Sequence, residues 1–416
     1  MVVKVRGPDS RFLRSFLTLL TGTAGGQVII LISMPVISRL YSPADFGVYA
    51  VLNSVIAILG VAACLRYDVA LALPRRGRDA VSLLCVGFLS LVLFSVIAPW
   101  FSVLVTDNAG APIKYINEGL NFVIVVFGIF AFGGVALLQS WFIRRRRFIL
   151  VSRNKVIQSF ARVFIQIIAG VSGFVVNGLL LGVIVGYMVG FALYAKSIRL
   201  RLFGLTNRRR VFEYASRYRK YPIYSTWEAL ANASAIYLPI IIMARYLPSE
   251  EVGYLNLAMM ILQAPVGLIA TSAAQIFLSE APKRHAEGTL KVFFTEIVWR
   301  LAKMGVLPFL LVLVVLPFGV SEIFGDKWEP VGAMIIWMLP WFFMQLVASP
   351  VSMSFHVLGR QELALVLQVF SLLTRLAFIY LCVIYFESWV VEGYAISGFV
   401  VYLIYFLVVY FLVKRG

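Results

Sequence analysis

Twelve apolar stretches, each long enough to cross a bilayer, dominate this chain of 416 residues. A hydrocarbon core about 30 Å thick takes roughly 20 apolar residues of helix. A backbone without water must satisfy its own polar groups, so such stretches can only be helices. They lie near 13–38, 45–70, 80–105, 119–143, 154–174 and 177–195, then near 222–244, 252–279, 295–319, 331–355, 363–386 and 390–413. The longest polar stretch runs only from about Lys196 to Lys220, so no soluble domain fits. Hydrophobic residues make up 61% and charged residues 13%, against about half and a quarter in soluble domains. An ordinary cytoplasmic enzyme and a disordered tail are both excluded. The first stretch is too long for a cleaved signal, and no small-residue cleavage site follows it. The expected fold is an all-α polytopic membrane protein with twelve transmembrane helices.

The net charge of +18 must be located before it is interpreted. Basic residues favour cytoplasmic loops. With the N-terminus in the cytoplasm and sides alternating, cytoplasmic segments hold 31 of the 37 basic residues and carry +23. The outside segments hold Arg39, Lys114, Arg245 and Lys327 against ten acids, a sum of −6. Arg162, Arg375 and Glu228 add +1 within the spans. Miscounting one span would swap sides downstream and scramble this pattern, so both termini are expected in the cytoplasm. The runs Arg144–Arg147 and Arg208–Arg210 then report topology and anionic headgroups, not nucleic acid.

The chain reads as two halves, an N-terminal six-helix lobe at 1–200 and a C-terminal one at 222–416, joined by a basic cytoplasmic linker at 201–221. Pro43, Asp45, Gly47 and Tyr49 at one outer turn match Pro248, Glu251, Gly253 and Tyr254 at the other. Pro74-Arg75-Arg76 and Pro282-Lys283-Arg284 follow about thirty residues later in each half. Matches that share the same side of the membrane suggest parallel repeats about an axis along its normal. Gly182, Gly186 and Gly190 form a small-xxx-small face that lets helix backbones approach. Cys64, Cys85 and Cys382 lie far apart in or beside apolar segments, and are expected to be buried thiols.

Three segments carry a family resemblance. They are PVISRLYSPADFGVYAVLNSVIAILGVAACLRYDVALALP, then KYPIYSTWEALANASAIYLPIIIMARYLPSEEVGYLNLAMMILQAP with the following SAAQIFLSEAP, and FGDKWEPVGAMIIWMLPWFFMQLVASPVSMSFHVLGRQ. They resemble the O-antigen and exopolysaccharide repeat-unit flippases of the multidrug, oligosaccharidyl-lipid and polysaccharide exporter superfamily. The resemblance implies two six-helix lobes around a central cavity that opens alternately to either side. It implies a lipid flippase, not an enzyme, in a bacterial inner membrane. The substrate would be an undecaprenyl-pyrophosphate-linked oligosaccharide, moved from the cytoplasmic to the periplasmic leaflet. Implied partners are membrane lipids and the polysaccharide polymerase and chain-length machinery, without nucleic acid. No cofactor is implied; membrane potential, H+ or Na+ could supply coupling.

Charges inside spans usually face protein or water. Arg162 lies nine residues past Arg153, about 14 Å deep at 1.5 Å per residue. Asn154, Gln158 and Gln166 share its face at i+4 spacing. Gln361, Gln368, Ser371 and Arg375 repeat this picture on the eleventh span. Two facing arginines would suit a pyrophosphate, since the guanidinium fork binds phosphate oxygens in pairs. A structural partner inside one lobe is the alternative for each. Glu228, with Asn232 one turn on, is a candidate for ion coupling, proton transfer or a fixed salt bridge. Arg14, Arg66 and Asp68 are candidates for a headgroup entering from the cytoplasm, or plain interfacial anchors.

The nearest alternative function is a cation-coupled drug exporter of the same superfamily, which would favour acidic cavity residues. A membrane polysaccharide polymerase or glycosyltransferase would need catalytic charges on a sizeable external loop. No loop here is long enough, and no Walker A, His/Cys metal or serine-hydrolase pattern occurs.

Overall fold

The computed structural model describes residues 10–74, 76–106, 119–198 and 207–415. Lys4, Arg6, Asp9, Arg75, Asp107, Lys114, Glu118, Arg199 and Arg201 of the charge ledger lie outside the described residues, as do the side chains of Arg11, Arg14, Gln361 and Glu387.

Among the described residues, twelve helices run for 20 residues or more. They are α1 (Ser10–Leu40), α2 (Pro43–Ala62), α3 (Gly77–Thr106), α4 (Gly119–Arg144), α5 (Phe148–Val171) and α6 (Val175–Ser197). After a short helix at Arg208–Arg217 come α7 (Thr226–Tyr246), α8 (Ser249–Ala286), α9 (Leu290–Phe324), α10 (Pro330–Val351), α11 (Gln361–Tyr385) and α12 (Val390–Arg415). Eleven of them are long and apolar enough to cross a membrane; α5 is the exception. It carries the expected polar face, which its neighbours cover. By contrast α9 has a mean hydropathy of 2.0 over a window only 17% buried. An apolar helix face that the protein leaves uncovered suits lipid, not water.

Two compact units divide the chain: Met1–Ser33 with Val55–Leu230, and Met34–Ser54 with Ala231–Gly416. The outer α1–α2 hairpin thus counts with the second unit, and Arg208–Arg217 with the first.

In the first unit, α5 and α6 are the most extensively packed pair of helices. Glycines explain the closeness. A Cβ on Gly186 would lie 2.8 Å from the Gln158 carbonyl oxygen, and Gly182 and Gly190 meet Gln166 and Gln158 as tightly. From the other side, Gly22 and Gly26 of α1 press on Ser152 and Ser159 of α5. The polar helix is therefore held between two glycine faces. The basic linker is not a free loop throughout. Asn207 caps the helix Arg208–Arg217 by accepting from the Arg210 N–H at 3.0 Å. The Tyr67 hydroxyl donates to the Ala215 carbonyl at 3.2 Å, and this helix packs on α3. A π-turn at Tyr221–Ser225 then leads into α7, where Pro222 lacks the N–H a regular helix would use.

In the second unit, the two repeated outer turns touch each other. Gly47 meets Ser249, and Gly253 meets the Pro43 carbonyl and the Gly47 nitrogen. The turn glycines recur because each is where backbone meets backbone. Trp328 is fully buried here; its Nε1 donates to the Ser38 carbonyl at 2.8 Å, and Phe46 and Tyr254 meet it edge-on. Lys327 Nζ donates to the Tyr41 carbonyl at 2.7 Å and the Arg39 carbonyl at 3.3 Å, placing a cation at the negative end of α1. A second cluster holds Phe277, Phe294, Phe355 and Val409. Of the three cysteines, all free thiols, only Cys64 is fully buried; Cys85 and Cys382 are half-buried, which corrects the expectation of three buried thiols.

Candidate functional site

Each unit carries one deep arginine beside a cavity of its own. Arg162 and Arg375 each lie fourteen residues after the first residue of their helices (162 − 148 and 375 − 361). At 1.5 Å per residue each is about 21 Å along its helix.

The first cavity has a volume of about 170 Å³. Thr23, Gly26 and Gln27 of α1, Lys155, Gln158 and Arg162 of α5, and Gly186 and Tyr187 of α6 line it. Lys155 stands seven residues before Arg162, two helical turns along the same face. Two cations therefore share one cavity. Sequence reading found Arg162 by its depth but missed Lys155, which sits nearer the end of the apolar stretch. The i+7 spacing is the signal that pairs them.

The polar stripe divides into two roles. Asn154 Nδ2 donates to the Gly190 carbonyl at 3.0 Å, and Gln166 Nε2 to the Leu179 carbonyl at 2.8 Å. Gln166 is 2% exposed, and its amide is committed to α6 rather than to the cavity. Gln158 does both, lining the cavity and packing on Gly190. Amides that bond a neighbouring backbone fasten α5 where hydrophobic packing cannot, because lipid is as apolar as leucine.

The second cavity has a volume of about 140 Å³ and lies among α7, α10, α11 and α12. Asn232, Ser349, Ser352, Gln368, Ser371 and Tyr402 line it together with Arg375. Arg375 is 5% exposed. Its Nη1 donates to the Tyr394 hydroxyl at 3.3 Å. The guanidinium carbon lies 4.5 Å from the Trp341 ring centre and 5.5 Å from that of Tyr394. Against Arg162 the α6 residue is Gly186; against Arg375 the α12 residue is Tyr394. The two halves thus repeat the arginine and differ in what packs on it.

Other expected site residues stand elsewhere. Glu228 is exposed on α7 and lines neither cavity. Asn232 is part of the second cavity. Arg66 and Asp68 lie in the turn after α2, where Leu65 and Arg66 adopt left-handed φ values of 46° and 59°. Such backbone is strained for residues with a Cβ. Arg66 Nε and Asp68 Oδ1 are buried without a hydrogen-bond partner among the described residues. Burial pushes the Asp68 carboxyl above its usual range, against Arg66 and backbone N–H groups that lower it. The backbone of Arg14 lies in α1, and its side chain is outside the described residues.

Several solved membrane transporters share this architecture. A lipid II flippase, MurJ, in an inward closed conformation superposes with a TM-score of 0.70 at 14% identity, over 97% of this chain and 87% of that one. An inward-facing multidrug resistance MATE family transporter gives 0.63 at 16% identity, covering 96% and 94%. A transporter of the same superfamily from Pyrococcus furiosus gives 0.58 at 16% identity, covering 96% and 95%. At such identities the likeness establishes the fold alone. No individually curated protein matches the chain. The profile of the family described as polysaccharide biosynthesis protein matches residues 36–333, which takes in both repeated turns and the α5–α6 pair. With that match over more than half its length, on the fold of the multidrug, oligosaccharidyl-lipid and polysaccharide exporters, the chain belongs to the polysaccharide biosynthesis protein family.

Proposed function

We propose that this protein is a flippase for undecaprenyl-pyrophosphate-linked oligosaccharides, moving them from the cytoplasmic to the periplasmic leaflet of a bacterial inner membrane by alternating access. The observation that carries this reading is the cavity lined by both Lys155 and Arg162, midway along a helix of a membrane protein. A pyrophosphate and its sugars cannot cross hydrocarbon cheaply, since each unpaired polar group costs several kcal/mol. The polyprenyl tail stays in lipid while the headgroup exchanges water for protein partners. A guanidinium fork and an ammonium together match the charge of a pyrophosphate linkage. The polymerase and chain-length machinery would take the product at the outer face.

The drug-exporter alternative is disfavoured because both cavities carry cations, which repel cationic drugs. The decisive experiment is reconstitution in proteoliposomes with a defined undecaprenyl-pyrophosphate oligosaccharide, scoring its accessibility to an impermeant lectin. The wild type should speed appearance of the sugar at the far leaflet, and Arg162→Ala should not. Equal rates in protein-free vesicles would sink the proposal.

A further inference from the structure

The second cavity contains a buried charge that no carboxylate among the described residues balances. Arginine keeps its proton under all ordinary conditions, and Arg375 is almost completely buried. Among the described residues no carboxylate pairs with it, and the residues lining its cavity include no acid. The Tyr394 hydroxyl and the rings of Trp341 and Tyr394 accept part of its field. Its Nε has no hydrogen-bond partner among the described residues. These ring and hydroxyl contacts offset part of the cost of burying the charge, and a counter-charge would offset the rest.

The surrounding groups narrow the ligand further. Asn232, Ser349, Ser371 and Tyr402 bring hydroxyls and an amide that can donate to an anion or exchange bonds with sugar hydroxyls. The Gln368 Oε1 is also buried without a partner among the described residues, and it needs a donor. A halide could satisfy the arginine but brings no O–H for that oxygen. One guanidinium matches one negative charge, whereas the first cavity pairs two cations.

We infer that the second cavity binds an acidic sugar through its carboxylate, Arg375 taking the charge and Gln368 and Ser371 the neighbouring hydroxyls. It rests on the flippase reading for how such a sugar reaches the cavity, and makes the transported repeat unit an anionic one of the uronic-acid class.

The test uses the full chain in detergent, titrated with glucuronate, glucose and sodium chloride and followed by saturation-transfer NMR and calorimetry. Glucuronate should bind at least tenfold tighter than glucose and resist displacement by equimolar chloride. Gln368→Leu and Ser371→Val, which leave the Arg375–Trp341–Tyr394 packing in place, should each weaken glucuronate at least fivefold without lowering Tm. Equal binding of glucose, displacement by equimolar chloride, no binding of glucuronate, or wild-type binding in both variants would each overturn the inference. In proteoliposomes, equal flipping of acidic and neutral lipid-linked oligosaccharides would overturn it while leaving the flippase reading intact. Glucuronate binding without flipping of either lipid would support the site and remove the flippase reading alone.

Discussion

The guanidinium of Arg375 stacks 4.5 Å from the centre of the Trp341 ring, joining α11 to α10 inside the second unit. A desolvated cation–π contact contributes about 2 kcal/mol. Arg375→Ala should therefore lower the thermal stability of the purified protein as well as its transport. Arg375→Lys keeps the charge but loses the planar face, so it should restore only part of each. An alanine variant with unchanged Tm in a detergent melt would show that the stacking contributes nothing.

Gly186 offers a direct test of the helix pair. A Cβ there meets the Gln158 backbone oxygen at 2.8 Å and the Arg162 Cβ at 3.0 Å. Backbone cannot swing aside as a side chain can, so α5 and α6 must part. Gly186→Ala should destabilise by about 1–3 kcal/mol, the usual range for overpacking. Gly77→Ala is the control, because a Cβ there meets nothing within 4 Å. Comparing the denaturation midpoints of the two variants checks the difference.

Lys155 and Arg162 are expected to act together on the headgroup. Lys155→Ala and Arg162→Ala should each reduce flipping at least tenfold, and Arg162→Lys should recover part of it. The double alanine variant should lose less than the product of the two single effects, since residues sharing one ligand are not additive. Initial rates in proteoliposomes measure all four.

The Asp68 carboxyl gives a pH signature. Burial raises its folded pKa above the ordinary value of 3.8. The folded state then holds the proton where the unfolded state has released it, so stability falls as pH rises from that value through the folded pKa. Asp68→Asn removes this slope. Unfolding midpoints between pH 4 and 8 should converge at the acid end and favour the Asn variant at the neutral end.

Membrane potential offers a coupling test. Moving an anion outward from a negative interior is favourable by about 2.3 kcal/mol per charge per 100 mV. Collapsing an imposed potential should slow net outward flipping, and reversing it should slow it further. Rates that ignore potential would point to H+ or Na+ instead.

Much of the fold was legible in the chain. The helices follow the apolar stretches, and the repeated Pro-acid-Gly-Tyr turns prove to be where Gly47 and Gly253 approach neighbouring backbone. The depth of Arg162 and Arg375 could be counted along a helix. Other features could not. Gln166 and Gln158 look alike in the stripe, yet one serves the α6 backbone and the other reaches the cavity. Lys155, two turns nearer the start of its helix than Arg162, carried no such signal of depth.

Length and apolarity by themselves determined that this chain spans a membrane as helices, because the need to bond the backbone in lipid is local to each stretch. They also determined that two arginines lie well inside their helices, since helix rise is constant. Only the tertiary structure decided what those arginines meet: a glycine face and a lysine for one, tryptophan and tyrosine for the other. Helices in lipid choose neighbours by close fit and hydrogen bonding, not by hydrophobicity. The apolar pattern that reveals each helix is therefore silent about its partners.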